Sequence, residues 1–301
     1  MTGLGKLTDY EDVRRCDLAQ TLERSAGLVP DKVALVYEDL RITYKELNDR
    51  ADAFAASLQG LGIVKGDRVA IDLANCPELM VSYYAACKLG AIVVWCNPLY
   101  RADEFRFLVS NSRSSAVILH KEFKGYDYLS MLRSMRAGAI HESPLLQLKH
   151  AIAVGGGSER DVLDFDQLVR QGWGQRYQRA EIDPENDLAM LLYTGGTTGT
   201  PKGAIHTHEV CIQSSAIGIP LLDIRADDVF LAHLPLHHAF GVATVANLSV
   251  ESAGTIVLMS EYKTELALQL IEEQGRGFWS PATSSGRIEP SGEDHYDVRS
   301  G

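Results

Sequence analysis

Residues 193–203 read Tyr-Thr-Gly-Gly-Thr-Thr-Gly-Thr-Pro-Lys-Gly. The apolar run Leu188-Ala-Met-Leu-Leu192 leads into this stretch, and Gly203-Ala-Ile-His-Thr207 follows it. The pattern predicts a strand, a loop rich in glycine and hydroxyls, and a second strand. Gly195, Gly196 and Gly199 let the loop turn its backbone N–H groups inward, because glycine tolerates positive φ. A concave row of N–H groups binds anions. Thr194, Thr197, Thr198 and Thr200 add hydroxyls, and Lys202 adds a positive charge. A polyphosphate is the guest that this chemistry fits. A plain hairpin turn also uses Gly and Thr, but it requires neither four threonines nor a Pro-Lys-Gly end. The P-loop pattern fails, since Lys202 follows Pro201, and the dinucleotide pattern G-x-G-x-x-G is absent as well.

The rest of the chain alternates helix and strand signals, which predicts an α/β fold with a largely parallel sheet. Thr43-Tyr-Lys-Glu46 is a capping box, and Leu47, Ala51, Phe54, Leu58 and Leu61 follow at helical spacing. Gly62 and Gly66 lead to a strand at 68–73. Pro77 suits a first helical position, with Gly90 as the stop. Further strands are expected at 91–96, 116–119, 151–154, 229–232 and 255–259. Helices are expected near 101–110, 126–136, 209–219, 242–252 and 264–273. Residues 141–149 read as a connection, and 155–186 as a polar region opened by Gly155-Gly-Gly157. Periodicity stops near Gln274. The stretch 275–301 is rich in Gly, Ser, Pro and charge, so it is expected to be a divergent tail without a packed core.

With 301 residues, 46% hydrophobic, the chain can bury one large core or two small ones. Its net charge of −11 argues against nucleic acid or an anionic membrane as the main partner. Five scattered cysteines without a C-x-x-C pair suit a reduced, cytoplasmic setting. The first residues do not form a signal peptide. No apolar run is long enough to span a bilayer; the nearest, 231–250, is broken by His233, His237 and His238. Peripheral membrane contact and oligomeric state stay open. His206-Thr-His208 could face one side of a strand as metal ligands, but no third ligand stands at a suitable spacing, so no metal site is expected. Asp227-Asp228 reads as an exposed turn.

Thr-Gly-Gly-Thr-Thr-Gly-x-Pro-Lys-Gly resembles the signature loop of the AMP-forming acyl-CoA synthetases, within the adenylate-forming superfamily. The Tyr-Thr-Gly-Gly form is closest to the fatty-acyl branch. Ile42–Leu47 and Lys88–Pro98 resemble two earlier family segments, in the family's order. Leu234-Pro-Leu-His-His-Ala-Phe-Gly241 resembles the family's Pro-Leu-Phe-His-x-x-Gly segment. The resemblance therefore puts His238, Phe240 and Gly241 at an acyl-adenylate pocket. His237 stands where Phe is usual and reads as structural.

The resemblance implies the layered, parallel-sheet large N-terminal domain of this family, here partial over 1–274, with the tail at 275–301 and the C-terminal lid domain absent. It implies ATP-dependent activation of a carboxylic acid, a fatty acid by the loop's form, followed by thioesterification to CoA, with Mg²⁺ on the phosphates. It stops at Gln274, before the family's adenine-binding segment and its C-terminal catalytic lysine, whose role Lys202 does not take. The alternative is an inactive, truncated remnant that keeps nucleotide or acyl binding.

Overall fold

The computed structural model describes residues 16–136, 145, 147–156, 161–194, 201–274, 277–279, 286–290 and 296–298, the last three segments as backbone only. Helix α1 (Leu18–Leu28) starts in a capping box built by Asp17 and Gln20. A hairpin of β1 (Val33–Tyr37) and β2 (Leu40–Thr43) runs into α2 (Tyr44–Gly60). The Thr43–Glu46 capping box forms as the sequence predicts. Then come β3 (Arg68–Asp72), α3 (Pro77–Lys88), β4 (Ile92–Trp95), α4 (Ala102–Ser112) and β5 (Ala116–His120). A small hairpin, β6 (Glu122–Phe123) and β7 (Tyr126–Asp127), precedes α5 (Tyr128–Arg136). Next are β8 (His150–Val154), β9 (Leu163–Asp164), α6 (Phe165–Gly172), β10 (Leu188–Thr194), β11 (Lys202–Thr207) and α7 (His208–Leu221). Strand β12 (Val229–Ala232) leads to a continuous helix over 239–251 (α8), π-helical across Val242–Asn247. Strand β13 (Thr255–Leu258) and α9 (Thr264–Gln274) follow.

The strands divide between two sheets. The first has the order β11-β10-β4-β3-β5-β8-β9 and is parallel except for β11 on one edge. The second contains β2-β1-β13-β12, with β1, β13 and β12 mutually parallel. Backbone strands Gly277–Trp279, Gly286–Pro290 and Tyr296–Val298 extend its edge beyond β12. Regular backbone thus continues past the boundary that periodicity suggests at Gln274. Phe278-Trp279 is a short β-favouring pair that no periodic pattern flags.

Helix α3 explains the layering. Every residue of it except Glu78 is buried, and a helix that is apolar all round must lie inside. It sits in the main core between the sheets, with α1, α2, α7 and α8. A second core lies on the outer face of the first sheet under α4 and α5, and a third lies under α9. The result is five layers, α/β/α/β/α. Lys88, at the end of α3, is buried yet bonded to Glu23 (3.0 Å), Asp52 (2.8 Å) and Asn48 (2.9 Å). Arg179 adds bonds to Glu23 and a two-oxygen contact with Asp17. Paired in this way, a buried ammonium is tolerable.

Candidate functional site

Strand β10 lies beside β4 in parallel register, Met190 opposite Val93 and Leu192 opposite Trp95. It turns back antiparallel into β11, and the last pair is Thr194 with Lys202. The glycine- and threonine-rich loop is therefore the tip of a hairpin at the carboxyl end of the parallel strands. Gly195, Gly196, Thr197, Thr198, Gly199 and Thr200 lie outside the described residues. The stem shows what holds the tip. Tyr193 donates its hydroxyl to Asn111 Oδ1 (2.6 Å) and meets Phe107 edge-on at 6.4 Å. A Cβ at Gly203 would come within 3.3 Å of the Tyr193 ring, so glycine lets the two strands close over it. Lys202 is exposed beside the tip.

The second element is the segment after β12. Asn75, at the carboxyl end of β3, is buried and reaches across to the other sheet. Its amide donates to the carbonyls of Ala232 and Leu234 (both 2.9 Å) and accepts from Leu236 N (2.8 Å). Three bonds from one side chain fix the backbone that carries His237 and His238. Gly241 completes the turn: a Cβ there would lie 2.2 Å from the Pro235 carbonyl oxygen.

The loops after β3, β4, β5, β12 and β13 enclose a cleft of about 520 Å³. Connections from the neighbouring strands β3 and β4 run to opposite faces of the sheet, through α3 and α4. Crevices at such reversals are where parallel sheets bind ligands. Pro98, Leu99, Phe123, Pro235 and Met259 give the cleft apolar walls, and His237 faces it. The Nδ1 of His237 is sealed from solvent with no hydrogen-bond partner. Burial, helped by the neighbouring His238, lowers this imidazole to about 4. Lys124 and Glu261 form an ion pair at the rim (2.9 Å), and the lysine holds the Glu261 carboxyl below its ordinary range. His120 supports the wall: its Nε2 accepts from Ala74 N (3.0 Å), its ring stacks on Phe123, and burial lowers it to about 4.

Of the residues the sequence singles out, Thr194 and Lys202 come together, and of the two adjacent histidines it is His237 that lines the cleft. His238 is exposed and caps the start of α8, its Nδ1 accepting from Phe240 N (3.4 Å). Phe240 is 37% exposed and does not line the cleft. Gly241 serves close packing. His208 is fully buried, with Nδ1 accepting from Leu18 N (3.2 Å), which is a structural role. Sequence reading passed over Asn75 altogether. Its signal was a lone amide between an apolar strand and the Pro77 helix start.

The comparisons agree with this architecture. The chain is 28% identical over 300 residues to a long-chain-fatty-acid–CoA ligase of Bacillus subtilis, which covers 94% of this chain and 53% of the relative. It is 33% identical over 264 residues to the salicyl-AMP ligase / salicyl-S-ArCP synthetase of Mycobacterium tuberculosis, covering 86% and 45%. The chain thus spans about half the length of the curated relatives it matches. Among solved structures, the anthranilate CoA ligase AuaEII in complex with anthranoyl-AMP superposes with a TM-score of 0.77 at 25% identity, over 87% of this chain and 48% of that one. The family model described as AMP-binding enzyme matches residues 22–284, and with the layered sheets and the hairpin at their carboxyl ends this establishes that the chain belongs to the AMP-binding enzyme family.

Proposed function

We propose that this chain carries the phosphate-gripping half of a ligase that activates a carboxylic acid with ATP and passes the acyl group to the thiol of CoA. The observation that carries the reading is the Thr194–Lys202 pair, which closes the Gly/Thr stretch between two strands at the carboxyl end of the parallel sheet. A carboxylate lacks a leaving group. Attack of its oxygen on the α-phosphorus of ATP forms an acyl-adenylate and expels pyrophosphate. The thiolate sulfur then attacks the acyl carbon and AMP leaves. The first transition state spreads charge over phosphate oxygens, so positioning and fixed positive charge do most of the work. Lys202 and the hydroxyls of Thr194, Thr197, Thr198 and Thr200 would hold the β- and γ-phosphates. Among the described residues no three His, Cys, Asp or Glu side chains converge on a metal site. Mg²⁺ would be carried on the phosphate oxygens, as this ion commonly is. Relatives named for a long-chain fatty acid and for salicylate support a carboxylic acid, with a fatty acid favoured by the Tyr-Thr-Gly-Gly form. No helix among the described residues is long and apolar enough to cross a membrane. A cytoplasmic location is part of the proposal.

Calorimetric titration with Mg·ATP tests the grip. Lys202→Ala should weaken binding by about tenfold, the worth of one charge-assisted contact. Equal binding by both forms would remove the assignment. ATP–pyrophosphate exchange over a panel of fatty and aromatic acids separates a competent half-reaction from a binding remnant. Exchange with one acid class names the substrate, and none at high protein concentration leaves binding as the function.

A further inference from the structure

We propose that His237 is a ligand-contacting residue of the inter-sheet cleft, and that the cleft takes an uncharged, largely apolar group bearing one amide or alcohol. The inference stands on the cleft and does not depend on adenylation. His237 faces the space, and its Nδ1 is sealed without a partner. A buried polar atom left unpaired in a folded protein calls for an explanation, and an absent ligand is a common one. Asn75 holds the backbone at Leu234 and Leu236, directly before His237, so the ring is presented from an anchored loop.

The charge pattern selects the ligand. Burial keeps the imidazole neutral at neutral pH. Among the described lining residues the charged side chains at the rim, Lys124 and Glu261, neutralise each other. Half of the remaining wall is Pro, Leu, Phe and Met, and Asn97, Ser260 and Tyr262 add polar groups without a fixed charge. A carboxylate or phosphate entering here would lose its hydration and meet no free cation, which is costly. An amide or alcohol can donate or accept, and so satisfies Nδ1 in either tautomer. The volume lies within the range that suits a small-molecule site.

The test uses histidine-labelled whole chain without nucleotide, followed by ring NMR near neutral pH. The probes are hexanamide and hexanoate, which share a carbon chain and differ in charge. His237→Phe, which keeps the ring volume, assigns the His237 signal by its loss. The expected result is a saturable shift of that signal with hexanamide, and binding of hexanoate about tenfold weaker. In calorimetry, His237→Phe should weaken hexanamide by about fivefold, the worth of one hydrogen bond. Binding of neither probe, equal binding of both, or unchanged hexanamide affinity in His237→Phe would each overturn the proposal. The NMR arm runs on the unmutated chain, so it holds even if the variant folds poorly. With no ATP present, none of these outcomes bears on the adenylation reading.

Discussion

Asn75→Ala removes the clamp between the two sheets, and its cost can be worked from three bonds. The amide donates twice, to Ala232 O and Leu234 O, and accepts once, from Leu236 N. Each bond is worth about 1 kcal/mol net, and the partners left behind lie in a buried seam where an unmade bond costs at least as much. A loss of about 3 kcal/mol follows, which for a urea slope of about 3 kcal/mol/M lowers the midpoint by about 1 M. Urea unfolding followed by tryptophan fluorescence measures it. A purely structural bond would stop there, whereas this one also positions an imidazole. Release of the loop should let the His237 ring move from about 4 back toward its ordinary 6.5, which an NMR titration reads. Asn75→Asp refines the test: it keeps the acceptor for Leu236 but sets a carboxylate oxygen against two carbonyls, so it should recover stability in acid, where the protonated carboxyl can donate. A loss under about 0.5 kcal/mol, or a His237 titration unmoved in Asn75→Ala, would refute the reasoning, since even one lost bond should exceed that.

Glu251 ends α8 with both carboxylate oxygens buried, and burial raises it to about 7 against the pull of Arg24 from α1 and Ser215 from α7. The folded state therefore resists ionisation, and the penalty grows from pH 4.5 to about 7, reaching about 3 kcal/mol. Glu251→Gln should gain up to that amount at alkaline pH and nothing in acid; equal gains at both, by denaturant titration, would contradict this. His208, lowered by burial to about 4, behaves with the opposite sense: stability is full above 6.5 and falls as pH drops toward 4. His208→Asn should reduce the proton uptake on acid unfolding by about one, read from the pH dependence of unfolding. Gly241→Ala must push the Pro235 backbone aside and should cost about 2 kcal/mol, checked by thermal unfolding.

The elements with local signals were the legible ones. The Thr43–Glu46 box, the Pro77 start and the apolar runs of β10, β12 and β13 each announce themselves within a few residues. Helix α6 was missed because only Phe165, Leu168 and Gly172 of its eight residues are buried, too short a stripe to stand out from the polar region around it. The β1–β2 hairpin went unread because its partner is β13, more than 200 residues away. The division into two sheets is likewise a matter of pairing, which periodicity does not encode. At the site, the hairpin was readable because its chemistry is contiguous. Asn75 was not, since its partners stand 157, 159 and 161 residues along the chain. His237 and His238 stand one residue apart in a turn, where only the three-dimensional path decides which ring faces the cleft.

The network around Lys88 and Arg179 has a consequence for how the protein is made. Helix α1 packs on α2 and α3, which follow it closely in the chain, but its other partners come much later. Asp17 waits for Arg179, 162 residues later; Leu18 N waits for His208; and Arg24 and Ser25 wait for the carbonyls of Glu251 and Val250. At about 5–20 residues per second, roughly 10–30 s pass before Arg179 is even synthesised. Throughout that interval Leu18, Ala19 and Leu22 have α2 and α3 to pack against but lack the cover that α7 and α8 add in the finished core. Helix α1 should therefore dock in two stages, first on α2 and α3 and then, once Arg179, His208 and the end of α8 exist, into the closed polar network.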